Sequence, residues 1–282
     1  MKAYISVDLE GCNGINHSSQ TQPNEPGYNR ALKILHDETN AVIKGLLAGG
    51  ATEIMVNDSH WDARNLHIEE MFSHKAVSVV SGWQKPFSMV SQINSEERAD
   101  FAVFLGYHTR AGHATGVLSH TYRAQIFFEV RLNGKPVGET GLNAALAGHF
   151  GVPIAMLTGD DQVIQEAKSF LPNIATAQVK TAVSRYSAIF PNYQETLRNL
   201  QDTATLAAKD KKYRDLFKPG TPATIDITMF DPSMADAAEL IPGVQRVSAR
   251  DISIKHEDYS VAFRLMLAVG ALGASRRDPY FS

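Results

Sequence analysis

Ser6-Val7-Asp8-Leu9-Glu10-Gly11, close to the start of a 282-residue chain, sets a pattern that later segments repeat. It follows the apolar, β-rich run Ala3-Tyr4-Ile5, so the chain enters it as a buried strand and leaves it at Gly11 in a tight turn. Two acids therefore stand at the end of a strand. If the backbone stays extended through Glu10, the period of two puts both carboxylates on one side, where they repel unless a proton or a metal cation sits between them. Taken alone, Asp8 and Glu10 read as solvated turn acids, because carboxylates are mostly exposed. The rest of the chain decides between the two readings.

Outward from this stretch, Leu32, Leu35, Thr39, Val42, Ile43 and Leu46 recur at helical spacing and stop at Gly49-Gly50. Glu53 to His60 is a second short apolar run, ending in Asn57-Asp58-Ser59-His60. Strand, helix, strand is a βαβ unit, so the two strands should be parallel with their C-terminal ends at one edge. Phe101 to Gly106, running into Tyr107-His108, is a third such strand, and Ala76 to Ser81 reads as another. Asn133-Gly134 between two β-type runs predicts a hairpin over residues 126–137. A helix from Gly138 to Phe150, strands at 154–158 and 174–180, and a helix between them continue the alternation. Later come a helix near 193–208, a strand at 223–229 and a final core helix. The fold class is α/β: a mainly parallel sheet with flanking helices and a metal site at its C-terminal strand edge, plus a smaller α+β C-terminal part. The boundary is placed near Ser184 to Pro191, giving residues 1–185 and 186–282.

Hydrophobic residues make up 44% and charged residues 20%, the balance of an ordinary globular protein. A net charge of −3 leaves no basic footprint for nucleic acid or anionic membrane surfaces. The single cysteine, Cys12, has no intramolecular disulfide partner. Met1-Lys2-Ala3 runs straight into a strand with no signal-type apolar segment, so a cytoplasmic location is expected. The apolar stretch Val261 to Ala274 is broken by Arg264 and falls short of the roughly 20 residues that span a membrane.

In three parallel-strand candidates the apolar run ends in metal-binding residue types: Asp8 and Glu10, then Asp58 and His60, then His108. Ligands of open α/β sheets bind outside the carboxyl ends of the strands, which is the edge these residues share. Glu139 adds a carboxylate at a predicted helix start. This mixed oxygen and nitrogen set suits zinc, manganese, cobalt or iron better than calcium. A pair of ions sharing a carboxylate is an arrangement used for amide hydrolysis. His120, in Gly116-Val117-Leu118-Ser119-His120, is the candidate proton donor or acceptor. His113 reads as an exposed loop residue. No Gly-x-Ser-x-Gly elbow or His-Glu-x-x-His motif is present, and Gly11-Cys12-Asn13-Gly14 is not a phosphate loop.

Six ordered motifs, SVDLEG (6–11), VNDSH (56–60), FLGYH (104–108), GVLSH (116–120), PVGETGLNA (136–144) and TGDD (158–161), together resemble the zinc D-aminopeptidase family found with dipeptide-transport operons. The resemblance covers most of the chain up to Arg185. It implies an aspartate bridging two zinc ions at Asp8, further ligands at Glu10, His60, His108 and Glu139, and a catalytic histidine at His120. It also implies two zinc ions per subunit, a preference for D residues, short peptides or aminoacyl amides as substrates, and a homo-oligomer assembled as a ring-stacked decamer. The loop Gly112-His113-Ala114-Thr115 departs from the family pattern, being one residue longer and lacking its proline. Two other functions fit the same residues: a metal-dependent amidase acting on a non-peptide acyl compound, and a metal-requiring peptide-binding protein without turnover.

Overall fold

The computed structural model describes residues 1–276. In chain order its elements are β1 (Lys2–Val7), α1 (Tyr28–Ala48), β2 (Glu53–Asp58), β3 (Val77–Val80), β4 (Phe101–Leu105), β5 (Phe127–Leu132), β6 (Lys135–Pro136) and α2 (Glu139–His149). There follow β7 (Ile154–Asp160), α3 (Asp161–Lys168), β8 (Ala175–Ser184), β9 (Ser187–Ile189), α4 (Tyr193–Lys209), β10 (Ala223–Met229), α5 (Pro232–Ala238), β11 (Val244–Arg246), β12 (Asp251–His256) and α6 (Tyr259–Gly273).

Seven strands form one sheet in the order β3-β2-β1-β4-β7-β8-β9. All its pairings are parallel except that of the edge strand β9. Parallel strands joined by crossovers are covered on both faces, which explains why β4 is apolar throughout and why β1 beyond Lys2 and all of β7 are buried. Their alternation shows in the cores. Ile5, Val103, Leu105 and Met156 point into one cluster with α1 and α4, while Tyr4, Ala102, Phe104 and Leu157 point into another with α2 and α6. The second cluster also takes the inner face of an antiparallel sheet, ordered β11-β12-β10-β5-β6.

The α/β architecture expected from the sequence is therefore present, with this five-stranded antiparallel sheet packed on one side. That sheet draws β5 and β6 from before residue 185 and β10 to β12 from after it, while α4, also after it, packs on α1 beside the parallel sheet. Residues 277–282 of the expected C-terminal part lie outside the described residues. The predicted hairpin forms at Asn133 and Gly134, whose φ values of 51° and 79° are those of a two-residue turn with both central residues left-handed. One local expectation is corrected. β1 ends at Val7 rather than running through Glu10, because the Gly11 amide bonds Gly106 O at 2.7 Å and the Cys12 amide turns back to Leu9 O at 3.1 Å.

That turn needs glycine. A Cβ on Gly11 would lie 2.0 Å from Tyr107 O, and one on Gly106, with φ +69°, would lie 2.1 Å from Asp8 O. The ends of β1 and β4 thus touch backbone to backbone just where the polar residues begin. On the opposite face Gly45 of α1 allows α4 to approach, since its Cβ would meet Gln201 O at 2.2 Å. Gly45→Val should lower stability in urea unfolding by about 2–3 kcal/mol, the cost of overpacking, despite valine's better helix propensity. An unchanged midpoint would contradict this close helix contact.

Candidate metal centre

Four elements deliver the polar residues to one place. Asp8 directly follows β1, its amide bonded to Leu105 O at 2.8 Å. Glu10 sits in the Gly11 turn, and His60 lies two residues beyond β2. The His60 loop is pinned by Asp58, whose Oδ2 accepts the amides of Asn65 (2.6 Å) and Leu66 (2.8 Å). Asp58 is thus spent on its own loop. His108 follows β4, and Glu139 opens α2 at the helix end that favours an acid.

These residues converge. His60 Nδ1 is 2.9 Å from Glu10 Oε2 and 3.2 Å from Asp8 Oδ1. His108 Nε2 is 3.4 Å from Asp8 Oδ2 and 3.3 Å from Glu139 Oε2. His120 Nε2 is 3.7 Å from Glu139 Oε1, and its ring stacks on His108 with centroids 4.0 Å apart. The side chains of Asp8, Glu10, His60, His108 and Glu139 are 1–8% exposed, whereas that of His120 is 18% exposed. Ligating atoms within 4.8 Å of one another occur in two triads sharing His108: Asp8, Glu10, His108 and His108, His120, Glu139.

The second nitrogen of each ring fixes its tautomer. His60 Nε2 donates to Thr21 O at 2.7 Å, His108 Nδ1 to Thr109 O at 2.9 Å and His120 Nδ1 to Leu118 O at 2.8 Å. With one N–H committed to a carbonyl, a neutral imidazole presents a bare lone pair at its other nitrogen. Those lone pairs face carboxylate oxygens, which repels unless a cation lies between them. Asp8 Oδ2, Glu10 Oε2 and His108 Nε2 are buried without a hydrogen-bond partner. The donor set and its orphaned atoms fit a transition-metal ion of the zinc type.

With protons as the only cations, the same groups titrate far from their ordinary values. Burial, then the Glu10 charge, pushes the Asp8 carboxyl up to about 7. Burial opposes ionisation of Glu10, but His60 outweighs it and holds the carboxyl well below its usual range. Burial likewise opposes charging of His108, but Glu139 raises that imidazole to about 10. His120 alone among the three is lowered, by burial and then by His108. Metal ligation at these atoms would therefore compete with proton binding.

Several further residues support the centre. Lys180 of β8 donates to three carbonyls in the Glu10 turn. Asp160 accepts the amides of Val163 (2.8 Å) and Val117 (2.9 Å), joining α3 to the His120 loop. Glu166 accepts those of Arg110 (2.9 Å) and Gly138 (3.0 Å). The Tyr122 amide donates to Glu139 Oε1 at 2.6 Å, leaving Oε2 for His108. His113 is half-buried and accepts the Gly116 amide at 3.0 Å, so it shapes its own loop. Burial, then Glu38, pushes the Cys12 thiol well up, which disqualifies it as a nucleophile.

Residues 1–268 match the sequence profile of the D-aminopeptidase family. A D-aminopeptidase of Bacillus subtilis (strain 168) is 35% identical over 277 residues, covering 96% of this chain and 97% of the relative. The chain belongs to the D-aminopeptidase family. Its fold superposes with a TM-score of 0.92 on DppA, a zinc-dependent D-aminopeptidase and self-compartmentalizing protease of Bacillus subtilis, at 32% identity over 99% of both chains. Family membership thus agrees with the six-motif resemblance.

Below the Glu10 turn, Glu38 is fully buried, accepts the Asn13 amide at 2.8 Å and has no partner at Oε2. Burial raises its carboxyl from 4.5 to about 7. A raised acid costs nothing below its unfolded pKa, costs progressively more between the two values and costs a constant amount above the folded one. Glu38→Gln should therefore be more stable than the parent at pH 8 by about 2–3 kcal/mol, with no gain near pH 4. A Glu38→Gln protein less stable than the parent in urea at pH 8 would contradict the assignment.

Proposed function

We propose that this chain is a di-zinc aminopeptidase that removes the N-terminal residue, of D configuration, from short peptides or aminoacyl amides. The observation that carries the two-ion part is Asp8, whose Oδ1 faces His60 while its Oδ2 faces His108. One set would be Asp8, Glu10 and His60; the other would be Asp8, His108 and Glu139. The match to a B. subtilis D-aminopeptidase and the fold shared with zinc-dependent DppA support zinc and the D preference. The acyl-compound alternative has no comparable support.

Zinc in such a site supplies Lewis acidity toward a scissile carbonyl and makes water nucleophilic at neutral pH. The chain supplies the remainder. Burial of five ligands keeps the centre dry and strengthens charge interactions at the reacting group. His120 keeps Nε2 as a lone-pair nitrogen because Nδ1–H is held by Leu118 O, and its lowered basicity leaves it neutral and ready to take a proton. Its greater exposure puts it where a substrate can reach it. Its place in a triad with His108 and Glu139 would equally suit a sixth ligand, and metal content of a variant separates the two roles.

The self-compartmentalizing character of DppA supports a closed homo-oligomer here, a decamer by the family resemblance, which would admit short peptides and exclude folded chains. Among the described residues no helix is long and apolar enough to cross a membrane. A cytoplasmic location completes this reading.

His120→Ala should retain its zinc by elemental analysis while kcat falls by about 100-fold or more, the usual share of a general acid–base group. Full activity in that variant would sink the catalytic assignment, and zinc loss would make His120 a ligand. Glu139→Ala should lose zinc along with activity. A panel of D- and L-aminoacyl amides beside N-acyl analogues should show turnover of the free-amine D compounds. Turnover of the N-acyl compounds instead would favour the amidase.

A further inference from the structure

The two segments that carry Glu10 and His120 are held by one strand. Lys180 lies in β8 and Arg185 in the turn directly after it. Lys180 is 1% exposed, and its ammonium donates to the carbonyls of Glu10 (2.5 Å), Cys12 (3.0 Å) and Ile15 (2.7 Å). All three ammonium protons are thus spent on backbone oxygens of one turn. Burying an ammonium is costly, and a methionine would fill similar volume without that cost. What the charge achieves is to gather three carbonyl dipoles that otherwise point at one another. Glu10 is thereby clamped at its carbonyl by Lys180, while the next amide, Gly11, is clamped by Gly106 O at 2.7 Å.

Arg185 does the corresponding work on the other segment. Its carbonyl accepts the Leu118 amide at 2.8 Å, and its Nη1 donates to the carbonyl of Ser119 and to Ser119 Oγ at 3.0 Å. Leu118 has φ +50°, a left-handed conformation that brings the Cβ of a leucine too close to the following carbonyl oxygen. The same residue's carbonyl accepts His120 Nδ1–H and so sets the tautomer of that ring. The Arg185 clasp holds this strained residue in place.

We propose that Lys180 and Arg185 are positioning residues, through which β8 and its turn fix the metal-binding Glu10 turn and the His120 loop in one frame. The inference rests on the proposed roles of Glu10 and His120, and the test separates it from them. Lys180→Met should raise the zinc dissociation constant, read by competition with a chromophoric chelator, about 10–100-fold, with far-UV circular dichroism unchanged. Arg185→Met should keep that constant within about twofold yet lower kcat about tenfold or more, with KM little changed, as expected when an interaction made only in the transition state is lost. Introduced into His120→Ala, Arg185→Met should have no further effect on kcat, because its influence passes through that ring.

Glu10→Ala serves as the reference. If Glu10→Ala leaves zinc affinity intact, the proposed metal site itself fails. If Glu10→Ala weakens zinc binding and a folded Lys180→Met does not, only the positioning role is overturned. Should Lys180→Met not fold, Arg185→Met decides: parental kcat, zinc loss in step with activity, or an undiminished effect in the His120→Ala background would each overturn the proposal.

Discussion

Three buried carboxylates, Asp8, Glu10 and Glu139, face imidazole nitrogens whose opposite N–H groups are already given to backbone carbonyls. Nothing in that arrangement is neutralised by hydrogen bonding alone, so positive charge must be bound among them for the fold to tolerate it. The surrounding architecture serves this demand. Parallel strands bring their C-terminal ends to one edge, and Gly11 and Gly106 let the ends of β1 and β4 touch so closely that side chains from both reach a common point. A Cβ at either position would push the carboxylates and His108 apart.

The acids around the centre divide into two kinds. Asp58, Asp160 and Glu166 each accept two backbone amides and so hold loops. Asp8, Glu10 and Glu139 keep oxygens turned toward imidazoles instead. What each oxygen touches thus separates the carboxylates that hold loops from those turned to the imidazoles, a distinction that the sequence alone does not draw. It also accounts for the specificity of the histidines, since each loop fixes both the direction and the tautomer of the ring it carries.

Much of this was legible in the sequence, because the parallel strands are buried on both faces and end in abrupt polar clusters. The apolar runs at 3–5, 54–56 and 101–105 become β1, β2 and β4, and the Gly49 stop and the Asn133-Gly134 turn stand where residue chemistry places them. The extended path through Glu10 was not legible correctly, because what ends β1 is a contact with Gly106, distant in sequence. Nor could periodicity reveal that β5, with β6 on its outer side, pairs with β10 outside the parallel sheet, since hairpin chemistry fixes a turn but not the partner strand. Lys180 and Arg185 fall within the family resemblance, but what they hold shows only in their carbonyl partners.

The central proposal is that Asp8 would join two metal ions through its two oxygens. Anomalous diffraction at the zinc edge from zinc-loaded crystals tests it most directly. The account predicts two peaks about 3.5–4 Å apart with the Asp8 carboxylate between them, the spacing of two-metal hydrolytic sites. A single peak, or a pair in which either ion lies away from Asp8, would contradict it.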